Sequence, residues 1–150
     1  MPQKGEKIRI LLVDDEKIIT MHMEKLLSNM GYNVVGTASN AEEALTKARE
    51  LYPDLIIMDI IMPGEKTGMD AAAEIKNELD LPVIFMTAFA DDKIVEKAKI
   101  CEPAGYIVKP VQDQEIRASI EIAIYKKQKE KKRKESLQNT EPPRSRNKSM

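Results

Sequence analysis

The stretch Leu55-Ile56-Ile57-Met58-Asp59 decides the fold, because four apolar residues run without interruption into a carboxylate. A run of this length reads as a strand buried on both faces, and such strands belong to parallel sheets with helices on either side. Asp59 marks the point where that strand leaves the core. In an open α/β sheet the ligand crevice lies beyond the carboxyl ends of the strands, so a carboxylate there is placed for chemistry rather than for packing.

Upstream, Ile8-Arg9-Ile10-Leu11-Leu12-Val13 reads as a first strand that ends directly on Asp14-Asp15. Ile19, Met23, Leu26, Leu27 and Met30 then recur at helical spacing, with Gly31 as a stop signal. A short strand over 33–37 follows. Asn40 and Glu43 suggest a capping box opening a helix with the stripe Ala41, Ala44, Leu45, Ala48 and Leu51, which Pro53 ends. Downstream of Asp59 come the loop Met62 to Gly68 and a helix to about Leu79. Pro82-Val83-Ile84-Phe85-Met86 is a fourth strand ending at Thr87, and a helix from about Asp91 to Cys101 turns Ile94, Ala98 and Cys101 inward. Gly105-Tyr106-Ile107-Val108 is the fifth strand, ending at Lys109-Pro110. The last helix starts near Asp113 with Ile116, Ile120 and Ile124 on one face. Five strands alternating with five helices through short connections imply right-handed crossovers and a three-layer α/β/α domain around a five-stranded parallel sheet.

A chain of 150 residues holds one such domain and no second one. The expected division is a short extension over 1–6, the domain over 7–125, and a basic helical extension with a disordered tail over 126–150. Cys101 is the only cysteine, so no internal disulfide forms, and no apolar run approaches the roughly 18–20 residues a membrane span needs. A cytoplasmic protein is the natural reading. Residues 1–125 carry 14 Lys/Arg against 22 Asp/Glu, a balance of −8, while residues 126–150 carry 10 against 3, a balance of +7. The acidic body argues against nucleic acid as its partner. The basic run Lys126 to Lys134 reads as a solvated helix end with its lysines going round the helix.

In a parallel sheet the four strand ends bring Asp14-Asp15, Asp59, Thr87 and Lys109 to one edge. Crowded carboxylates repel unless a cation sits among them, and hard oxygen ligands in that number suit Mg²⁺, which accepts one or two carboxylates together with waters and phosphate oxygens. A carboxylate beside Mg²⁺, with Lys and Thr aimed at the same point, is equipped for phosphoryl transfer, with Asp59 as the nucleophile. Taken singly, each residue also has a plainer reading. The acidic pair serves equally as a solvated turn or helix cap, Lys109 as a surface lysine, Tyr106 as core filler, and His22 as a surface side chain.

The joint order of Asp-Asp after the first strand, Asp after the third, Thr-Ala after the fourth and Lys-Pro after the fifth resembles the receiver domain of two-component response regulators, over roughly residues 7–125. The resemblance implies a flavodoxin-like strand order 2-1-3-4-5 and Asp59 as phosphoacceptor, with Lys109 and Thr87 completing the catalytic set. It implies Mg²⁺ held by Asp15 and Asp59, by Asp14 through water and by the backbone carbonyl of Ile61. Thr87 and Tyr106 would form the switch, the Lys109-Pro110 bond would be cis, and the output face would comprise the fourth helix, fifth strand and fifth helix. A histidine kinase or phosphotransfer protein would be the phosphoryl source, a downstream protein the target, and a homodimer formed on phosphorylation is compatible with it. The chain would assist its own phosphorylation and dephosphorylation without being an enzyme toward other substrates. It departs from the family pattern in the loop after Met62-Pro63, one residue longer than usual before Gly68, and at Ile61 and Phe89, which are apolar where fast-cycling receivers carry polar groups.

Four other readings compete, and one of them, nucleic acid binding by the basic tail, has only charge in its favour. A receiver-like interaction module could act independently of phosphorylation. An aspartyl-nucleophile phosphatase of the haloacid dehalogenase type needs a second Asp two residues after the nucleophile, where this chain has Ile61. A flavin carrier needs a phosphate-cradling loop after the first strand, where Asp14-Asp15-Glu16 would repel the phosphate.

Overall fold

A computed structural model describes residues 6–88 and 91–139. The strands are β1 (Arg9–Val13), β2 (Asn33–Ala38), β3 (Leu55–Met58), β4 (Val83–Thr87) and β5 (Gly105–Val108). The helices are α1 (Lys17–Asn29), α2 (Ala41–Leu51), α3 (Gly68–Leu79), α4 (Asp92–Ile100) and α5 (Asp113–Asn139). All strand pairs are parallel, in the order β2-β1-β3-β4-β5. β3 therefore lies at the centre of the sheet, as its unbroken apolar run requires.

Side chains alternate across a strand, so each buried strand feeds two cores. Leu11, Val13, Ile56, Met58, Val83 and Phe85 face α2, α3 and Ala98 of α4. Ile10, Leu12, Leu55, Ile57, Ile84 and Met86 face α1 and α5, where Met23, Leu27, Ile116, Ile120 and Ile124 close the second layer. These helix residues are those marked by the 3.6-residue period. Ile94 and Cys101 pack against the first core from its margin.

Local chemistry sets the helix ends. Asn40 accepts from the Glu43 backbone N–H, while the Glu43 carboxylate turns back to the backbone N–H of Ser39 rather than that of Asn40. The reciprocal box lies instead at α3, where Thr67 accepts from the Asp70 N–H and Asp70 accepts from the Thr67 N–H. Gly31 follows α1 at φ +96°, a conformation that glycine adopts without a steric penalty. The helical extension expected after Lys126 is present and continues to Asn139, so Ser136 to Asn139 belong to α5 rather than to the tail. The disorder expected beyond them falls on residues 140–150, outside the described residues.

Candidate metal and phosphoryl site

Parallel pairing places the carboxyl ends of β1, β3, β4 and β5 on one edge of the sheet. The β1–β3 ladder ends at Val13 and Met58, and the Asp59 N–H donates to the Val13 carbonyl at 2.9 Å, which brings the Asp59 backbone alongside the end of β1. The Asp14 N–H donates to the Ala38 carbonyl at 3.0 Å. At the other side of the edge the Lys109 N–H donates to the Thr87 carbonyl at 2.8 Å, and the Lys109-Pro110 peptide bond is cis, as expected. The ends of β1, β2 and β3, and likewise those of β4 and β5, are thus tied by backbone hydrogen bonds before any side chain is considered.

The Lys109 ammonium bridges two carboxylates, at 2.7 Å from Asp14 Oδ2 and 3.2 Å from Asp59 Oδ2. Asp14 and Asp59 are only 4% and 6% exposed, so each charge has lost most of its hydration and depends on partners inside the protein. The second Asp14 oxygen accepts from the Glu16 N–H at 2.9 Å, and the second Asp59 oxygen accepts from the Ile61 N–H at 3.3 Å. Burial alone would lower the Lys109 pKa. The hydrogen bond donated to Asp14 and the negative charges of Asp59 and Asp14 outweigh it and hold the ammonium above its usual value. Lys109 is a fixed cation at neutral pH.

Asp15 is exposed, yet Asp14, Asp15 and Asp59 each offer a carboxylate oxygen within 4.8 Å of the others. Three carboxylates and one ammonium carry a formal net charge of −2, with Asp15 open to solvent as an entry side. The donors are all hard oxygen, and the deficit is that of a divalent cation, so the residues present fit Mg²⁺. The lone plain reading of Asp14 as a turn residue is half right, since it does cap the Glu16 N–H, but that uses only one of its two oxygens.

Thr87 closes β4 and is fully buried. Tyr106 is half-buried in β5, with its ring edge-on to Phe85 at 6.4 Å between centroids and 77° between planes. Burial, and then the charge of Asp91, push its hydroxyl pKa up. Ile61 stands at the mouth of the site, 45% exposed. Phe89, paired with it in the sequence reading, lies outside the described residues.

One participant escaped the sequence reading. A Cβ built on Gly68 would lie 2.1 Å from the carbonyl oxygen of Asp59 and 2.9 Å from Ile60 Cα, and the Gly68 N–H donates to the Ile60 carbonyl at 2.8 Å. The first residue of α3 is thus pressed against the backbone that carries the central carboxylate. The Thr67–Asp70 box holds that helix end, and Lys66 ties the loop to Glu74 at 2.8 Å and Glu42 at 3.4 Å. The extra loop residue is absorbed without disturbing this contact, with Gly64 at φ +109° in open space. A Thr-x-x-Asp pattern before a helix was the available signal, but it points to the cap and not to the close approach.

The family model for the response regulator receiver domain matches residues 10–121. The chain is 37% identical over 116 residues to the transcriptional regulatory protein PdtaR of Mycobacterium tuberculosis, covering 77% of this chain and 56% of that protein. It is 38% identical over 105 residues to the chemotaxis protein CheY of Thermotoga maritima, covering 69% of this chain and 87% of that one. Among solved structures, the signal receiver domain of a modulated diguanylate cyclase from Desulfovibrio desulfuricans superimposes with a TM-score of 0.79 at 35% identity, over 83% of this chain and 99% of that one. The chain spans about half the length of the transcriptional regulators it matches. With the strand order and the acidic edge already in place, these matches establish that the chain belongs to the response regulator receiver domain family.

Proposed function

We propose that this receiver domain takes a phosphoryl group on Asp59 from a histidine kinase or phosphotransfer protein in a Mg²⁺-dependent reaction, and that the phosphorylated state changes a protein-interaction surface. The observation that carries the reading is the Lys109 ammonium held between Asp14 and Asp59, with Asp15 completing an oxygen cluster that fits a divalent cation. A carboxylate oxygen of Asp59 attacks phosphorus as the bond from phosphorus to the donor nitrogen breaks, leaving an acyl phosphate. Asp15 and Asp59, with Asp14 through water and the Ile61 carbonyl, would hold Mg²⁺, which when bound offsets the negative charge on the transferring oxygens. Lys109, whose ammonium lies between Asp14 and Asp59, would pair with a phosphoryl oxygen there. Positioning and charge stabilisation are most of what phosphoryl transfer requires of a protein.

Thr87 would then hydrogen-bond the phosphoryl group and Tyr106 would move with it, because a packed core passes a small displacement on as a discrete side-chain change. The contact of Tyr106 with Phe85, its ladder neighbour on β4, supports that coupling. The surface that changes would be formed by α4, β5 and α5. Beryllofluoride, which mimics a phosphoryl group, tests the reading by amide spectroscopy. With Mg²⁺ it should shift resonances at Asp59 and across α4, β5 and α5, and Asp15→Ala should abolish the response. An unchanged spectrum on that face, or undiminished Mg²⁺ affinity in Asp15→Ala, would reject the proposal.

A further inference from the structure

The sequence offers seven basic residues between Lys126 and Lys134, and the folded helix divides them between two sides, with Lys131 bordering the same groove as Lys127 and Lys134. Lys127 and Lys134 turn toward the body, where both reach Asp80 Oδ2, at 2.7 and 3.6 Å, and both pair with Glu130. At 3.6 residues per turn, Tyr125, Lys126, Lys129, Lys132 and Arg133 fall on the other side, where they border one shallow hollow with Ser136 and, at its edge, Glu130, whose carboxylate is paired with Lys127 and Lys134. The lysines do not, after all, go round the helix as equivalents. Lys126, Lys129, Lys132 and Arg133 have no ion pair among the described residues, and their spacings of three and four residues set like charges beside each other, an arrangement that destabilises a helix until an anion is supplied.

We propose that this face of α5 binds the phosphate backbone of a single-stranded nucleic acid. Four cations between Lys126 and Arg133 occupy about 10 Å of helix axis, a charge density comparable to the one phosphate per roughly 3.4 Å of a nucleic acid strand. Tyr125 is 63% exposed on the same face, with the Lys129 ammonium 5.9 Å from its ring centre, which provides a flat partner for an unpaired base between phosphate-binding cations. The acidic body, at −8 over residues 1–125, disfavours a polyanion there and leaves the basic segment after Tyr125 as the place of contact. A membrane surface fits less well. The other exposed large apolar side chains of α5, Ile122 and Leu137, are about 22 Å apart along the axis and form no stripe to insert.

The test is fluorescence anisotropy of a labelled 20-nucleotide oligouridine with the full chain. Four phosphate contacts predict that affinity falls about 50-fold between 50 and 200 mM NaCl, from a slope of roughly −0.7 per phosphate on a single strand. Replacing Lys126, Lys129, Lys132 and Arg133 together by Gln, which keeps helix propensity, should abolish binding at 50 mM salt, whereas Lys93→Gln with Lys97→Gln on α4 should leave it intact. Tyr125→Ala should weaken binding about tenfold. No binding at 50 mM salt, or equal binding by the fourfold variant, would overturn the proposal. So would fourfold-variant-sensitive binding to phosphatidylserine vesicles or to polyglutamate with none to the oligonucleotide.

Discussion

Replacing Gly68 by Ala probes the part of the site that depends on backbone packing alone. An added methyl would sit 2.1 Å from the Asp59 carbonyl oxygen and within 3.0 Å of two further backbone atoms, none of which can rotate away. Overpacking of this kind costs about 3 kcal/mol, and Ala in place of Gly at a helix position returns about 1, so a net loss near 2 kcal/mol is expected. At about 4 °C per kcal/mol for a chain of this size, the midpoint of thermal unfolding should fall by roughly 8 °C. Gly64→Ala is the matched control. It meets nothing within 4 Å and suffers only from its φ of +109°, a cost of about 1 kcal/mol. Circular dichroism melts of the three proteins measure the stability difference. Because the displaced atoms carry Asp59, Gly68→Ala should also lose beryllofluoride binding more than Gly64→Ala does. A Gly68→Ala protein as stable as wild type would refute the reasoning.

Lys109→Met leaves Asp14 and Asp59 buried side by side without their cation. Breaking a fully buried pair costs about 3–5 kcal/mol, and since Asp15 opens this cluster to water a loss of about 1–2 is expected in EDTA, largely recovered in excess Mg²⁺. A melt insensitive to Mg²⁺ would contradict the charge argument. On the sequence reading of Ile61 and Phe89 as apolar, an Ile61→Asn, Phe89→Glu variant should lose a phosphoryl group about tenfold faster, because polar side chains could hold the attacking water, and decay of isolated phosphoprotein measures it. The hydrogen bond from Lys127, and then the charges of Lys127 and Lys134, depress the Asp80 pKa. Its contribution is therefore present above the unfolded value of about 3.9 and disappears as pH falls through the lower folded value. Acidification from about pH 5 to 2 should cost no more than about 1 kcal/mol at this exposed pair, a loss that Asp80→Asn removes from the pH titration of helix content.

Strands buried on both faces declare themselves by composition, so β1, β3 and β4 and the residues at their ends were legible without coordinates. Because parallel pairing turns strand ends into neighbours, Asp14, Asp59 and Lys109 could be placed together from order alone. What stayed hidden depends on distances that no local pattern encodes. Gly68 matters through the Asp59 carbonyl nine residues earlier, and the sorting of the α5 lysines depends on Asp80, contributed by the turn after α3. The reach of α5 to Asn139 was underestimated because its last turns lack an apolar stripe, whereas the ion pairs of Lys127 and Lys134 with Asp80 and Glu130 come from the folded context.

The central claim is that Asp59 becomes phosphorylated, and intact-mass measurement after incubation with acetyl phosphate tests it most directly. One phosphoryl adduct should form on the wild-type chain in Mg²⁺, none in EDTA, and none on Asp59→Asn in Mg²⁺. An adduct retained by Asp59→Asn, or none on wild type with Mg²⁺ present, would contradict the account.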